Sequence, residues 1–262
     1  MISIIDTKVG EHHIRFFTQA KWMDAYIRAK FRVLEASSGG EPDLEVELTG
    51  DYGGPFVSFD VAASVEAEEI FFRRTDYRIR LSGDFRQAQV SVYDDFALKH
   101  ALMNLYSSYI VHKGWGLLVH SSCVLEAGKA YLFAGHSGAG KSTVAWLSLP
   151  RQVLSDEATI LKVEPDRVTV FDSPFRSGLE MPYHGGGCEL AAIQFLRQSS
   201  EIKRVTLGKS DALMELFGKI FYWPHMPGET LKIMKLFQHL IANIPAYELY
   251  FQKNDAFWKE IC

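Results

Sequence analysis

The segment YLFAGHSGAGKSTVAW, residues 131–146, carries the most informative pattern in this chain. Gly135, Gly140, Lys141 and Ser142 fit the pattern G-x-x-x-x-G-K-[ST] of a phosphate-binding loop. A short apolar run precedes the pattern, and a helix-compatible run follows it. Strand, loop and helix therefore come in the order that such a loop requires, and we expect the chain to bind a nucleotide.

The composition of the loop follows from what it has to hold. A polyphosphate wrapped by backbone needs consecutive N–H groups that point inward, and glycines permit this close approach. The start of the following helix adds unpaired N–H groups and a positive dipole end. Lys141 would reach the outer phosphates, and the Ser142 hydroxyl would ligate a magnesium ion. We therefore expect ATP and Mg²⁺ as ligands, with these residues at the nucleotide: Gly135, His136, Ser137, Gly138, Ala139, Gly140, Lys141, Ser142 and Thr143.

The composition of the whole chain predicts a folded, soluble protein. Hydrophobic residues make up 47% of the 262 residues, which is enough for a substantial core. A formal net charge of −4 gives no general attraction to nucleic acid or anionic membranes, so we expect neither as a partner. Residues 1–20 predict neither a secretory signal nor a spanning helix, and we place the chain in the cytoplasm. Cys123, Cys188 and Cys262 are far apart and indicate reduced thiols.

Two domains are predicted from the change in periodicity along the chain. Residues 1–92 read mostly as strands, with glycine-rich turns at 37–40 and 52–55, and form a smaller β-rich domain that we associate with acceptor recognition. Residues 93–262 form the nucleotide-binding domain, and an apolar helical stripe from Asp95 to about residue 111 joins the two. A homo-oligomer is an open alternative to a monomer.

The second domain reads as a mixture of strands and helices. Two apolar runs before the loop are separated by a short turn and predict a hairpin. Further elements follow the loop. They are predicted strands at 158–163, 167–171, 190–196 and 246–251, predicted helices at 209–220 and 229–242, and a terminal helical turn at 255–261.

An acidic pair, Asp156 and Glu157, follows the loop after one short helix. A nucleotide with magnesium needs a carboxylate nearby, and this usually comes from the end of a strand beside the loop strand. Asp156 is the best candidate for contact with the metal and the acceptor hydroxyl. Adjacent strand residues point to opposite faces, so both acids reach one site only if the strand ends or bulges there. Glu157 is otherwise a solvated charge.

Other candidate residues have two interpretations each. His120 either contacts phosphates or is a satisfied core histidine. Arg176 either stabilises transferred charge or is solvated in its loop. The glycines at 185–187 form either a flexible flap or a wide turn. Arginines at 73–80 could receive an acidic partner, although a solvated strand face is the simpler interpretation.

Several of these motifs resemble the HPr kinase/phosphorylase family and the related phosphoenolpyruvate carboxykinase fold. The resembling segments cover about residues 96–262. They are Val119-His120 before the loop strand, the loop itself, Leu154-Ser155-Asp156-Glu157, Asp172 to Gly178, Ala192 to Leu196 and Ile244 to Leu249. The family usually has two aspartates where this chain has Asp156 and Glu157. The resemblance implies an α/β (α+β) domain of mixed sheet with flanking helices, and a catalytic role for Asp156, Glu157, His120 and Arg176.

The resemblance and the loop together predict a kinase. We expect transfer of the γ-phosphoryl group of ATP to a serine-type hydroxyl of a protein, a peptide or a small molecule. A non-catalytic ATP-binding or ATPase module that regulates a partner protein is the main alternative. Carboxykinase chemistry is weaker, because the sequence offers no clear second set of cationic and metal-binding residues.

Overall fold

The chain folds into two compact units of mixed α and β structure. A computed structural model describes residues 1–35, 40–225 and 227–262. The first unit contains Met1–His112 and Tyr222–Thr230, and the second contains Lys113–Phe221 and Leu231–Cys262. The predicted nucleotide-binding domain begins at residue 93, inside the first of these units.

An eight-stranded sheet forms the first unit, in the order β3-β1-β2-β4-β8-β7-β6-β5. Strands β2, β4 and β8 are parallel to one another, and the remaining pairs are antiparallel. Its strands are β1 Ser3–Val9, β2 His12–Thr18, β3 Arg32–Val33, β4 Leu44–Thr49, β5 Ala62–Glu66, β6 Glu69–Arg73, β7 Tyr77–Ser82 and β8 Gln87–Val92. Alternate residues of β4, β7 and β8 are buried, and the alternation of the sequence at 43–48 and 77–81 predicts this for β4 and β7.

Two helices pack on this sheet. Helix α1, Lys21–Lys30, lies against β1 and β2, and helix α2, Asp95–His112, lies against β7 and β8. The prediction of a helix from Asp95 is confirmed, but nearly every residue from Ala97 to Val111 is buried, rather than a single stripe. Helix α1 is not predicted from the sequence, because its N-cap, Ala20, has no side chain that could cap it.

The second unit is built around a closed ring of five strands. In the order β9-β12-β13-β14-β10, each strand is hydrogen-bonded to the next, and β10 returns to β9. Outside the ring, β11 pairs with β9, β16 with β14, and β15 with β16. The strands are β9 Gly116–Glu126, β10 Lys129–Ala134, β11 Gln152–Ser155, β12 Ala158–Val163, β13 Val168–Phe171, β14 Gly187–Gln198, β15 Lys203–Thr206 and β16 Ala246–Phe251.

Three helices and a terminal 3₁₀ helix complete the chain. They are α3 Lys141–Leu147, α4 Lys209–Phe217, α5 Pro227–Asn243 and the 3₁₀ helix Asp255–Glu260. A buried cluster that includes Phe133, Val144, Leu196, Phe251 and Trp258 joins β10, α3, β14, β16 and the 3₁₀ helix. The phosphate-binding sequence therefore lies over this buried cluster, between β10 and α3.

The structure confirms a mixed α+β protein with two sheet bodies and flanking helices. The predicted hairpin is the antiparallel β9–β10 pair. Residues 37–39 of the first predicted turn lie outside the described residues. Within the described chain, no helix combines the length and apolar character needed to cross a membrane.

Candidate functional site

The phosphate-binding sequence forms a loop that connects the end of β10 to the start of α3. Strand β10 is held on both edges, by antiparallel β9 and parallel β14. His136, Ser137 and Gly138 are exposed at the outside of the loop, whereas Gly135 and Ala139 are buried under it. The loop therefore has a fixed base and an open outer surface.

Two glycines of the loop are required by close packing. A Cβ on Gly135 would lie 2.6 Å from the Cβ of Ala139, which no real contact allows. Gly140 has a φ of 109°, and a Cβ there would lie 2.7 Å from Cζ of Phe251. A larger residue at either position would force the loop away from the core beneath it.

Lys141 is folded back over the loop. Its Nζ donates to the backbone oxygens of Gly135 at 3.2 Å and His136 at 3.1 Å, and only 8% of the residue is exposed. Burial lowers the pKa of Lys141, the charge of Lys219 lowers it further, and the charge of Glu157 opposes this shift. The ammonium group is thus hydrogen-bonded to the first two residues of the loop.

Side chains from two strands hold the loop and helix in place. Ser122 on β9 donates from its hydroxyl to the backbone oxygen of Lys141 at 2.9 Å. Gln198, the last residue of β14, donates from Nε2 to the backbone oxygen of Gly138 at 2.8 Å. Neither residue carries a sequence signal for this role, because serine and glutamine are common on strands and both contacts join residues distant in the chain.

The acidic pair lies in a break between two strands. Strand β11 ends at Ser155 and β12 begins at Ala158, with a register shift against β9 before the break. The strand is therefore interrupted at the acidic pair, as is required if both side chains are to reach one site. The two carboxylates nevertheless have different surroundings.

Asp156 holds a neighbouring loop. Its Oδ1 accepts the N–H of Ser177 at 2.9 Å, and its Oδ2 accepts the Ser177 hydroxyl and the N–H groups of Gly178 and Leu179 at 2.8–3.1 Å. The residue is only 2% exposed. A carboxylate has about four lone-pair positions, so four hydrogen bonds use its accepting capacity. In this conformation Asp156 anchors residues 177–179.

Glu157, by contrast, lies close enough to Lys141 for its negative charge to act on the ammonium group. Its backbone oxygen accepts the N–H of Ser121 on β9 at 3.1 Å. The side chain is partly exposed. Glu157 therefore supplies a carboxylate charge at the phosphate loop.

His120 lies on the same face of β9 as Ser122 and next to Lys141. Burial and the charges of Lys141 and Lys219 lower the pKa of His120 to about 4. Its ring lies 5.3 Å from the ring of Phe221. The imidazole is therefore neutral near pH 7 and half-buried beside two ammonium groups. Lys219 has no motif around it, so the sequence carries no signal for this position.

Arg176 is fixed at the end of β11. Its Nη2 donates to the backbone oxygens of Val153 and Leu154 and to Oδ1 of Asp172. Its Nη1 is buried and has no hydrogen-bond acceptor among the described residues. The backbone N–H of His184 donates to Oδ2 of Asp172 at 2.6 Å, so this ion pair also holds the glycine-rich segment 184–187. The role of Arg176 in stabilising transferred charge stays a prediction.

The remaining predicted residues lie at the start of α3 or in the first unit. Ser142 is exposed and Thr143 is partly exposed. Among the described residues, no cluster of three or more His, Cys, Asp or Glu side chains has the arrangement of a metal site. Three of the arginines at 73–80 are in ion pairs within the first unit, and their pairs are Arg73 with Glu66, Arg74 with Asp76 and Arg80 with Glu69.

Comparison with known families places the whole of the second unit, and part of the first, in a described group. A family model described as "SynChlorMet cassette protein ScmC" matches residues 88–262. The chain belongs to the ScmC family. The match to ScmC includes the phosphate loop, the acidic pair, His120 and Lys219. No curated protein matches the chain.

The ScmC match corrects the resemblance to the HPr kinase/phosphorylase family and to the phosphoenolpyruvate carboxykinase fold. That family assignment is wrong, because the family model that matches this chain is ScmC. The segments that suggested it are short, and the phosphate-loop pattern is set by the phosphates it holds rather than by one family. The residues in those segments keep the positions described above.

Proposed function

We propose that the chain is an ATP-dependent kinase that transfers the γ-phosphoryl group to a serine-type hydroxyl of a protein, peptide or small molecule. The second unit would serve as a P-loop nucleotide-binding domain. The observation that carries the proposal is the position of Lys141, which is tied to the first two residues of the loop while the charge of Glu157 acts on it. A lysine and a carboxylate at a phosphate loop are what phosphoryl transfer requires.

In this proposal each side chain has a defined task. The loop amides and Lys141 bind the outer phosphates, and Glu157 orients the acceptor hydroxyl and accepts its proton. The acceptor oxygen forms a bond to the γ-phosphorus as the bond from that phosphorus to the bridging oxygen breaks, and ADP leaves with the electron pair. His120, neutral near pH 7, can hydrogen-bond a phosphate oxygen. Asp156 and Arg176 keep the adjoining loop in place.

The donor set is compatible with magnesium. Ser142 presents an exposed hydroxyl at the start of α3, and Glu157 presents a carboxylate close to Lys141. Hydroxyl, carboxylate, phosphate and water oxygens are the ligands that magnesium prefers. When bound, the ion would neutralise charge on the phosphate oxygens. Asp156 could join this set only by giving up hydrogen bonds to residues 177–179.

The main alternative is an ATP-binding or ATPase module that regulates a partner. Binding of nucleotide would then change the population of conformations without phosphoryl transfer. The same loop, Lys141 and Glu157 would serve this function. The presence of an acceptor product separates the two proposals.

The test is transfer of label from γ-labelled ATP in the presence of magnesium. The family name refers to a cassette, so the other cassette proteins are the first acceptors to examine. We also propose that the protein acts in the cytoplasm. Lys141→Ala should abolish label transfer, whereas Lys129→Ala should not, because Lys129 is exposed at the opposite end of β10. Tight ATP binding without a labelled product from any acceptor would favour the regulatory module.

A further inference from the structure

A short segment after α4, residues 219–221, extends the surface on which the phosphate loop lies. The N–H of His120 donates to the backbone oxygen of Lys219 at 2.6 Å, and the N–H of Phe221 donates to the oxygen of Leu118 at 2.9 Å. Val119 and Ile220 form an antiparallel bridge between these contacts. The segment 219–221 is therefore joined to β9 by an isolated antiparallel bridge.

The edge of β9 that this segment occupies can be deduced from the hydrogen bonds. Neighbouring N–H groups along a strand point to opposite edges. The N–H of Ser121 points to Glu157, on the edge where β11 and β12 pair. The N–H of His120 thus points to the other edge, where β10 ends at the pair of Ala134 with Ser121. Lys219 follows directly beyond the end of β10, where the phosphate loop begins.

The charges at this point are unbalanced. The positive charges of Lys141 and Lys219 both act on His120, and Lys219 also acts on Lys141, where the negative charge of Glu157 opposes it. Lys219 is partly exposed, so solvent and a dissolved ligand have access to the residue. The two ammonium groups repel each other, and an anion bound near both would relieve this repulsion.

We propose that Lys219 is a second phosphate-binding cation of this site and contacts the outer phosphates of the nucleotide together with Lys141. This inference rests on the proposed function, since it deepens the description of the same site. With this second cation, the site should bind a polyphosphate more tightly than a monophosphate. Lys141 holds the loop and the phosphates from one side, and Lys219 reaches them from the edge of β9.

The experiment measures dissociation constants for inorganic tripolyphosphate, ATP and AMP. Lys219→Met should weaken binding of tripolyphosphate and ATP by about tenfold or more, as expected for loss of a hydrogen bond to a charged group. AMP binding should change less. Lys219→Arg should retain most of the affinity, because it keeps the positive charge. A purely structural role of the lysine stem would instead leave the affinity of Lys219→Met unchanged. Lys209→Met, an exposed position at the start of α4, is the matched control.

The outcomes separate this inference from the kinase proposal. Unchanged tripolyphosphate and ATP affinities in a folded Lys219→Met variant would overturn the role of Lys219, even if the wild-type chain transfers phosphate. A wild-type chain that binds ATP through Lys219 but labels no acceptor would overturn the kinase and leave the cation site standing. A wild-type chain that binds neither tripolyphosphate nor ATP would overturn both.

Discussion

At the scale of single residues, Asp156 and Glu157 show how neighbours can differ in task. Four hydrogen bonds from residues 177–179 use the carboxylate of Asp156, whereas the charge of Glu157 acts on Lys141. The sequence predicts that a carboxylate follows the loop but favours Asp156 for it. Which of the two carboxylates is bound by another loop and which acts on Lys141 depends on a strand break and on contacts made more than twenty positions later, which local patterns do not encode.

Replacing these two acids should therefore have different effects. Asp156→Asn replaces one accepting oxygen by an NH₂ group, which faces N–H donors and cannot accept their hydrogen bonds. We therefore expect a loss of about 2–4 kcal/mol of unfolding free energy. Glu157→Gln should leave stability within about 1 kcal/mol and reduce turnover by roughly a hundredfold or more. Denaturant titration and single-turnover label transfer measure the two effects. Full turnover in Glu157→Gln would remove Glu157 from proton transfer.

The depressed pKa of His120 predicts a pH dependence of stability. Burial, Lys141 and Lys219 lower its pKa from the ordinary 6.5 to about 4, and the Phe221 ring packs against it. Between these values the unfolded chain binds the proton and the folded chain does not. The contribution of neutral His120 to the unfolding free energy should thus be complete above pH 6.5 and should decrease as the pH falls toward 4.

His120→Asn tests this prediction by removing the titrating group. Between pH 7 and pH 4, the unfolding free energy of the variant should fall by up to roughly 3 kcal/mol less than that of the wild type. Denaturant titration at each pH measures this difference. Burial and neighbouring positive charge also lower the pKa of His100, in the first unit, to about 4. Combining His100→Asn with His120→Asn should flatten the profile further. Parallel profiles for the wild type and His120→Asn would contradict the assignment.

At the scale of elements, the phosphate loop is the part that the sequence describes best. Its glycines, the preceding strand and the following helix are all encoded within one short segment, and the hairpin before it follows from two apolar runs separated by a short turn. Pairing of β10 with β14 and addition of residues 219–221 to β9 are long-range contacts. Periodicity predicts that such segments are strands or apolar runs, but it does not specify their partners.

Gly140→Ala should disturb the loop through two effects. An alanine there would adopt an unfavourable positive φ and would place its Cβ 2.7 Å from the ring of Phe251. We expect a loss of roughly 2–4 kcal/mol of unfolding free energy together with weaker ATP binding. Gly185→Ala is the control, because open space surrounds that position and its φ is not in the left-handed region. Equal stability of the two variants would show that the Gly140 contact is not required.

At the scale of the whole molecule, the change from strands to helix near residue 93 is visible in the sequence, but the compact units divide elsewhere. Helix α2 belongs to the first unit because its apolar residues pack on β7 and β8. The segment Tyr222–Thr230 also belongs to that unit, although it lies far along the chain. The ScmC match starts within β8 and covers the proposed kinase site completely. Composition predicts that a core exists, whereas tertiary packing decides which segments share it.

The closed ring in the second unit has a consequence for self-association. Each of its five strands has both neighbours within the ring, and an open sheet edge is a template for pairing with another chain. The outer strand β15 is short and carries Lys203 and Arg204, which oppose the approach of a like-charged edge. While it is folded, the strand that carries the phosphate loop is thereby shielded from edge-to-edge aggregation, and its loop stays available for phosphate.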